Sequence, residues 1–168
     1  MRARAIGLLG PLALWAAATA QVAVAQAAPP ARVASSVRRV FGAAAVIDSV
    51  RADSATVLRV SHGGTLDGFA VVRNVKGKDQ PITFLVAVGP DGLLRDVDIL
   101  VYREPYGGEI AYEPWRKQFR GKGPDAPLAV GKDIRGISGA TISVNAVTLA
   151  VRRAVADFAR WRERGLLQ

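Results

Sequence analysis

The spacing of apolar residues changes several times along the chain, and each change marks an expected element. From Ser35 the spacing is helical. Val37, Val40, Phe41 and Ala44 recur three or four apart, with Ser35 or Ser36 placed to cap. Residues 35–50 are therefore expected to form a helix. ATVLRV (55–60) predicts a short strand, SHGGTLDG a loop, and FAVVRNVKGK a second strand and turn. ITFLVAV (82–88) and LLRDVDILVY (93–102) flank Gly-Pro-Asp-Gly, whose turn chemistry predicts a β-hairpin. In its second strand Val97, Ile99 and Val101 alternate with Asp96, Asp98 and Leu100. One face should be buried. Asp96 and Asp98 are expected to face solvent rather than to form a paired acid site.

Residues 102–122 lack a period apart from a short helical piece at Trp115–Phe119, and GPDAP (123–127) breaks the chain. The last element is the clearest. Val144, Val147, Val151, Val155 and Phe158 draw one apolar stripe on a helix running from near Thr141 to Arg164. Arg152, Arg153, Arg160, Arg162 and Arg164 take the other faces or the last turn, where cations suit the helix dipole. Helices at both ends of an antiparallel hairpin region predict an α+β fold: a sheet core, an N-terminal helix and a long C-terminal helix.

The first residues follow another logic. A basic MRAR, an apolar run at 5–20 and Ala-Val-Ala at 23–25 have the layout of a secretory signal peptide. The run is short for a bilayer span of about 20 residues, and Gly10-Pro11 would disturb it, so cleavage is expected over retention as an anchor. The expected organisation is a signal peptide at 1–25, a Pro- and Ala-rich linker at 26–34 and one domain at 35–168. The expected location is periplasmic.

The 168 residues carry 23 Lys and Arg against 14 Asp and Glu, and the net charge of +9 falls to +7 once Arg2 and Arg4 leave with the leader. Export argues against nucleic acid as the partner of this charge. Weak association with anionic headgroups, steering toward acidic redox partners, and plain surface solvation all remain open. The chain has no Cys and a single His, His62. That excludes disulfides, iron–sulfur clusters, thiolate zinc, the Cys-x-x-Cys-His haem attachment, a poly-histidine metal site and a Ser-His-Asp triad. His62, beside Gly63-Gly64, is expected to be a loop residue. Any redox chemistry must come from an organic cofactor.

One stretch offers a place for it. In GISGATISVNAV (136–147), Ser138, Gly139, Ala140 and Thr141 stand where an irregular segment becomes a long helix. A helix start leaves N–H groups unpaired beneath a positive dipole, which suits phosphate. Small residues keep the backbone accessible, and Ser138 and Thr141 add hydroxyls. Ordinary N-capping by Ser or Thr is the other reading.

The motif resembles that of the FMN-binding domain family, whose pattern is Asp-x-x-Ser/Thr-Gly-Ala-Thr/Ser. The family includes the flavin-bearing small subunits of sodium-pumping NADH:quinone oxidoreductase and of the Rnf complex, and many small exported proteins. A second block is also similar. The family's Glu-Ser/Thr-Pro-Gly-x-Gly, Trp and Phe-x-Gly-Lys correspond to Glu104-Pro105-Tyr106-Gly107-Gly108-Glu109, Trp115 and QFRGK (118–122). The resemblance spans about residues 68–158. It implies an exported electron-transfer flavoprotein with no substrate chemistry of its own. FMN would be linked through a phosphoester to Thr141, transferred from FAD by a flavin transferase, or held without a covalent bond.

Ser138, Gly139, Ala140, Ile142 and Ser143 then become motif neighbours. Glu104 is expected to accept a hydrogen bond from the ring or to position the loop. Gly107 and Gly108 would let backbone approach the ring. Tyr106, Tyr112 or Trp115 would stack on it, Trp115 being equally readable as a core anchor. Arg135 stands where the family has its Asp, with Asp133 two residues earlier. A guanidinium there is expected to hold the phosphate. Membrane or exported proteins would be the redox partners. A non-covalent FMN-dependent reductase and a flavin-free basic adaptor remain the alternatives.

Overall fold

The computed structural model describes residues 30–168, and the expected leader lies outside them. Helix α1 (Pro30–Phe41) starts inside the stretch read as linker, because proline's fixed φ suits the first helical turn. It also ends early. Gly42 takes φ 110° and stops the helix, and the β-branched Val46, Ile47 and Val50 that follow go into a strand. The helix expected over 35–50 is thus a helix, a turn and strand β1 (Val46–Ala52).

Strands β2 (Ala55–His62), β3 (Thr65–Lys76), β4 (Pro81–Val88) and β5 (Leu94–Val101) complete an antiparallel meander in the order β1-β2-β3-β4-β5. The segment read as the SHGGTLDG loop is mostly strand: Gly63-Gly64 makes the β2–β3 turn, and His62 ends β2, 3.1 Å from Asp67. The β4–β5 hairpin forms at Gly-Pro-Asp-Gly as the sequence predicts. After β5 come a 3-10 turn (Gly108–Ala111), α2 (Glu113–Arg116) and a second 3-10 turn (Lys117–Phe119). A long irregular segment then leads to α3 (Thr141–Glu163). The fold is α+β, and no helix among the described residues is long and apolar enough to cross a membrane.

Both faces of the sheet are covered. Strand β4 is buried from Ile82 to Val88 because its alternate residues serve two cores. Phe84, Val86 and Val88 meet Val144, Val147, Val151, Val155 and Phe158 of α3, the stripe read from the sequence. Leu85 and Ala87 meet Val37 and Phe41 of α1.

The second layer corrects the expectation for Asp96 and Asp98. They face α1, not solvent, and are 4% and 7% exposed. Ser36 Oγ donates to Asp98 at 2.6 Å, Arg39 pairs with Asp98 at 2.6 Å, and Arg116, itself 6% exposed, donates to Asp96 at 2.8 Å. Buried carboxylates survive only when paired in this way.

Candidate functional site

Strand direction decides which loops meet at the start of α3. Thr83 of β4 pairs with Val101 of β5, so the 77–80 turn and the segment after β5 leave the sheet at the same edge. The amino end of α3 arrives there too. Lys78, Glu104, Pro105, Tyr106 and residues 139–143 line an open cavity of about 230 Å³.

Three contacts fix that arrangement. The first is at Gly107, which has φ 83°; a Cβ there would lie 2.2 Å from the Cβ of Ala140. The loop therefore rests backbone-tight on the residue preceding Thr141. The second is a relay. Ser143 hydrogen-bonds to the Tyr102 oxygen, and the Tyr102 hydroxyl donates to the carbonyl of Tyr106. Burial pushes the Tyr102 phenol up, against the Ser143 hydrogen bond, and the charges of Glu104 and Glu109 add to the rise. The third is Glu104, whose carboxylate accepts the N–H groups of Asp79 at 3.0 Å and Gln80 at 3.2 Å.

The helix start is uncapped by any side chain. Ala140 is the N-cap residue, and neither Ser138 nor Thr141 makes a capping bond. Ordinary N-capping is therefore not what the two hydroxyls do. Thr141 and Ile142 are exposed at the cavity, while Ser143 turns inward. Gly139 has φ 78° and open space where a Cβ would be, so its neighbourhood is free for a ligand. Tyr106, 72% exposed, and Ile142, 55% exposed, offer flat and aliphatic surface beside it.

Other sequence-predicted residues lie elsewhere. Trp115 does not line the cavity. It is buried edge-on to Phe119, at 5.0 Å between ring centroids, and its Nε1–H donates to the Arg135 carbonyl at 2.9 Å. Of its two readings, core anchor is the one that fits. Arg135 is clamped from both sides, its N–H donating to Gln118 Oε1 at 2.8 Å, and its side chain lies in a different cleft with Pro114, Lys117, Gln118 and Asp133. It does not line the cavity with Thr141. Gly107 is spent on Ala140 rather than left for a ring, and Gly108 is exposed with open space around it. Ser138 and Tyr112 are outside the cavity lining.

Asp133 serves the 128–134 loop, not the site. Its carboxylate accepts from the N–H groups of Leu128 and Ala129 and pairs with Lys122 at 3.1 Å. Burial pushes this carboxyl up, but the Ala129 hydrogen bond and Lys122 outweigh it and hold it below its ordinary 3.8. A depressed carboxylate contributes stability above the unfolded-state value and loses it as pH falls through the folded-state value. Asp133→Asn should therefore lower Tm at pH 7. The gap to the unaltered protein should narrow below pH 3.8 and close at lower pH. A pH-independent gap would contradict this.

The residue the sequence reading missed is Lys78. Its only signal is a lysine in the Lys-Gly-Lys turn between two strands, and nothing local shows that the turn reaches α3.

The fold and the site define a class: an α+β module that presents the uncapped start of its long helix to an open ligand cleft. The model of the FMN-binding domain matches residues 77–156, and FMN is the ligand that such a domain takes. The matched stretch begins at the Lys78 turn and ends within α3, and so contains every wall of the cavity. The chain is similar to a subunit of the proton-translocating ferredoxin:NAD(+) oxidoreductase complex of Clostridium ljungdahlii. The two are 35% identical over 100 residues, which is 55% of this chain and 54% of that protein. It thus spans about half the length of that relative. Its fold is similar to that of Shewanella oneidensis NqrC, with a TM-score of 0.51 and 21% identity over 73% of this chain and 74% of that one.

Proposed function

We propose that this chain is an exported electron-transfer flavoprotein that carries FMN on Thr141 through a phosphoester. The observation that carries the reading is the exposed Thr141 side chain at the mouth of a cavity whose floor is an uncapped helix start. The residues present fit the phosphate end of FMN. Free N–H groups and the helix dipole favour an anion, and Gly139 and Ala140 leave room for it. The cavity is smaller than the roughly 300–1,000 Å³ of sites that enclose a drug-sized ligand. It suits one end of a nucleotide, and the exposed Tyr106 and Ile142 would offer surface to the rest.

In loading, the Thr141 hydroxyl would give up its proton as its oxygen bonded to the flavin-side phosphorus of FAD, with the diphosphate bond breaking and AMP as the leaving group, in a reaction that a flavin transferase would run. When bound, FMN supplies one- and two-electron redox chemistry. The chain's own residues hold it in place and leave it reachable by membrane or exported partners. The similarity to a subunit of a ferredoxin:NAD(+) oxidoreductase complex supports the redox role. A covalent bond suits an exported protein, which cannot readily replace a lost cofactor.

The test is the spectrum of protein co-expressed with a flavin transferase, then denatured and gel-filtered. Flavin absorbance should stay with the polypeptide. Yellow colour released on acid precipitation would instead favour non-covalent FMN, the second reading. That reading rests on Arg135 standing where the family's motif has Asp.

A further inference from the structure

The proposed function places a phosphate against the start of α3 but leaves its counter-charge unnamed. The motif position places that charge on Arg135, which the fold turns into another cleft. Lys78 is the one Lys or Arg side chain that lines the cavity with Thr141 among the described residues.

Its position is built. Gly77 N–H donates to the Gln80 carbonyl at 3.0 Å and closes the 77–80 turn. The Glu104 carboxylate then accepts from Asp79 and Gln80, both oxygens taking part. Gly77 has no substitute there, since a Cβ would lie 2.1 Å from Glu104 Oε1 and 2.9 Å from the Gln80 carbonyl oxygen. The carboxylate is thus spent on backbone donors, and Lys78 is exposed and forms no salt bridge among the described residues.

Charge balance gives the ammonium a task. Glu104 puts a full negative charge in the wall of a site meant for an anion, where the helix dipole supplies only about half a positive charge. Without a further cation the wall would repel phosphate. A lysine on a fixed turn, acting as a point charge, restores the sign.

We propose that Lys78, positioned by the Glu104–turn clamp, is the phosphate counter-ion of this site and makes it select FMN over riboflavin. The inference rests on the proposed flavin site. Its test uses the full chain with Thr141→Ala, so that binding is reversible, and measures dissociation constants for FMN and riboflavin by flavin fluorescence. FMN should bind more tightly than riboflavin, and added salt should narrow the difference. Lys78→Gln should weaken FMN roughly ten- to a hundred-fold, as loss of a hydrogen bond to a charged group does, while leaving riboflavin unchanged. Lys78→Arg should restore most of the loss, and Tm should not move, because the turn is exposed.

Equal losses for both ligands, or none for either, would overturn the role of Lys78 and leave the flavin site standing. So would a phosphate-specific loss in Arg135→Gln in place of Lys78→Gln. If the Thr141→Ala protein binds neither ligand, the flavin site itself is wrong, and this inference falls with it.

Discussion

Replacing Thr141 with alanine should remove the proposed covalent flavin completely. Protein co-expressed with a flavin transferase should lose the whole FMN increment from its intact mass, and Thr141→Ser should keep it. The effect is all-or-none because a phosphoester needs a side-chain oxygen, and the neighbouring hydroxyls are badly placed. Ser143 is 3% exposed and engaged with Tyr102. Ser138 lies outside the cavity lining, ahead of the Gly139 turn. The Thr141 oxygen is committed to no cap, so its removal should cost the fold little. The same variant should still take up free FMN, because the helix start and Lys78 remain. An increment that survives Thr141→Ala would place the bond elsewhere, and an unmodified parent protein would deny the bond altogether.

The stripe from Val144 to Phe158 and the Pro-Asp-Gly hairpin were legible in the sequence, because both are local patterns that the fold uses as they stand. The cavity residues of the 139–143 segment were legible for the same reason: small and hydroxyl residues sit where a periodic run begins. Contacts between distant segments were not. Asp96 and Asp98 read as solvent-facing because alternation shows two faces of a strand and not what covers each. Their cover comes from Arg39, 57 residues before Asp96, and Arg116, 20 residues after it. Lys78 became part of the site through Glu104, whose carboxylate holds a turn 24 and 25 residues away. Arg135 left the site because Trp115 and Gln118 grip its backbone. In each case the decisive group is polar and its partner remote, so no window of neighbouring residues contains the answer.

The second large effect belongs to the buried charges under α1. Asp96→Ala should destabilise the protein by about 3–5 kcal/mol, read as a lower denaturant midpoint at unchanged slope. The cost arises from what is left behind. Arg116 is 6% exposed and gives its Nη1 to Asp96 at 2.8 Å and its Nε to the Ala111 carbonyl at 3.0 Å. Without the carboxylate it is a nearly buried cation whose nearest remaining acid is Asp98, at 3.8 Å. Pairing Asp96→Ala with Arg116→Met should recover much of the loss, since removing both partners leaves no uncompensated charge. Arg39→Ala should cost less than either single change in the buried pair. Its side chain is 44% exposed, and water can replace it at both carboxylates. The ranking separates desolvation from simple contact counting: additive losses in the double variant would show that Asp96 and Arg116 act independently, and an Arg39 effect as large as that of Asp96 would show that exposure does not set the cost. Because Arg116 also holds Ala111, just beyond the Gly107 contact, the network ties α1 to the loop that walls the cavity at Thr141. Asp96→Ala should therefore weaken FMN and riboflavin alike, unlike the phosphate-specific loss expected at Lys78.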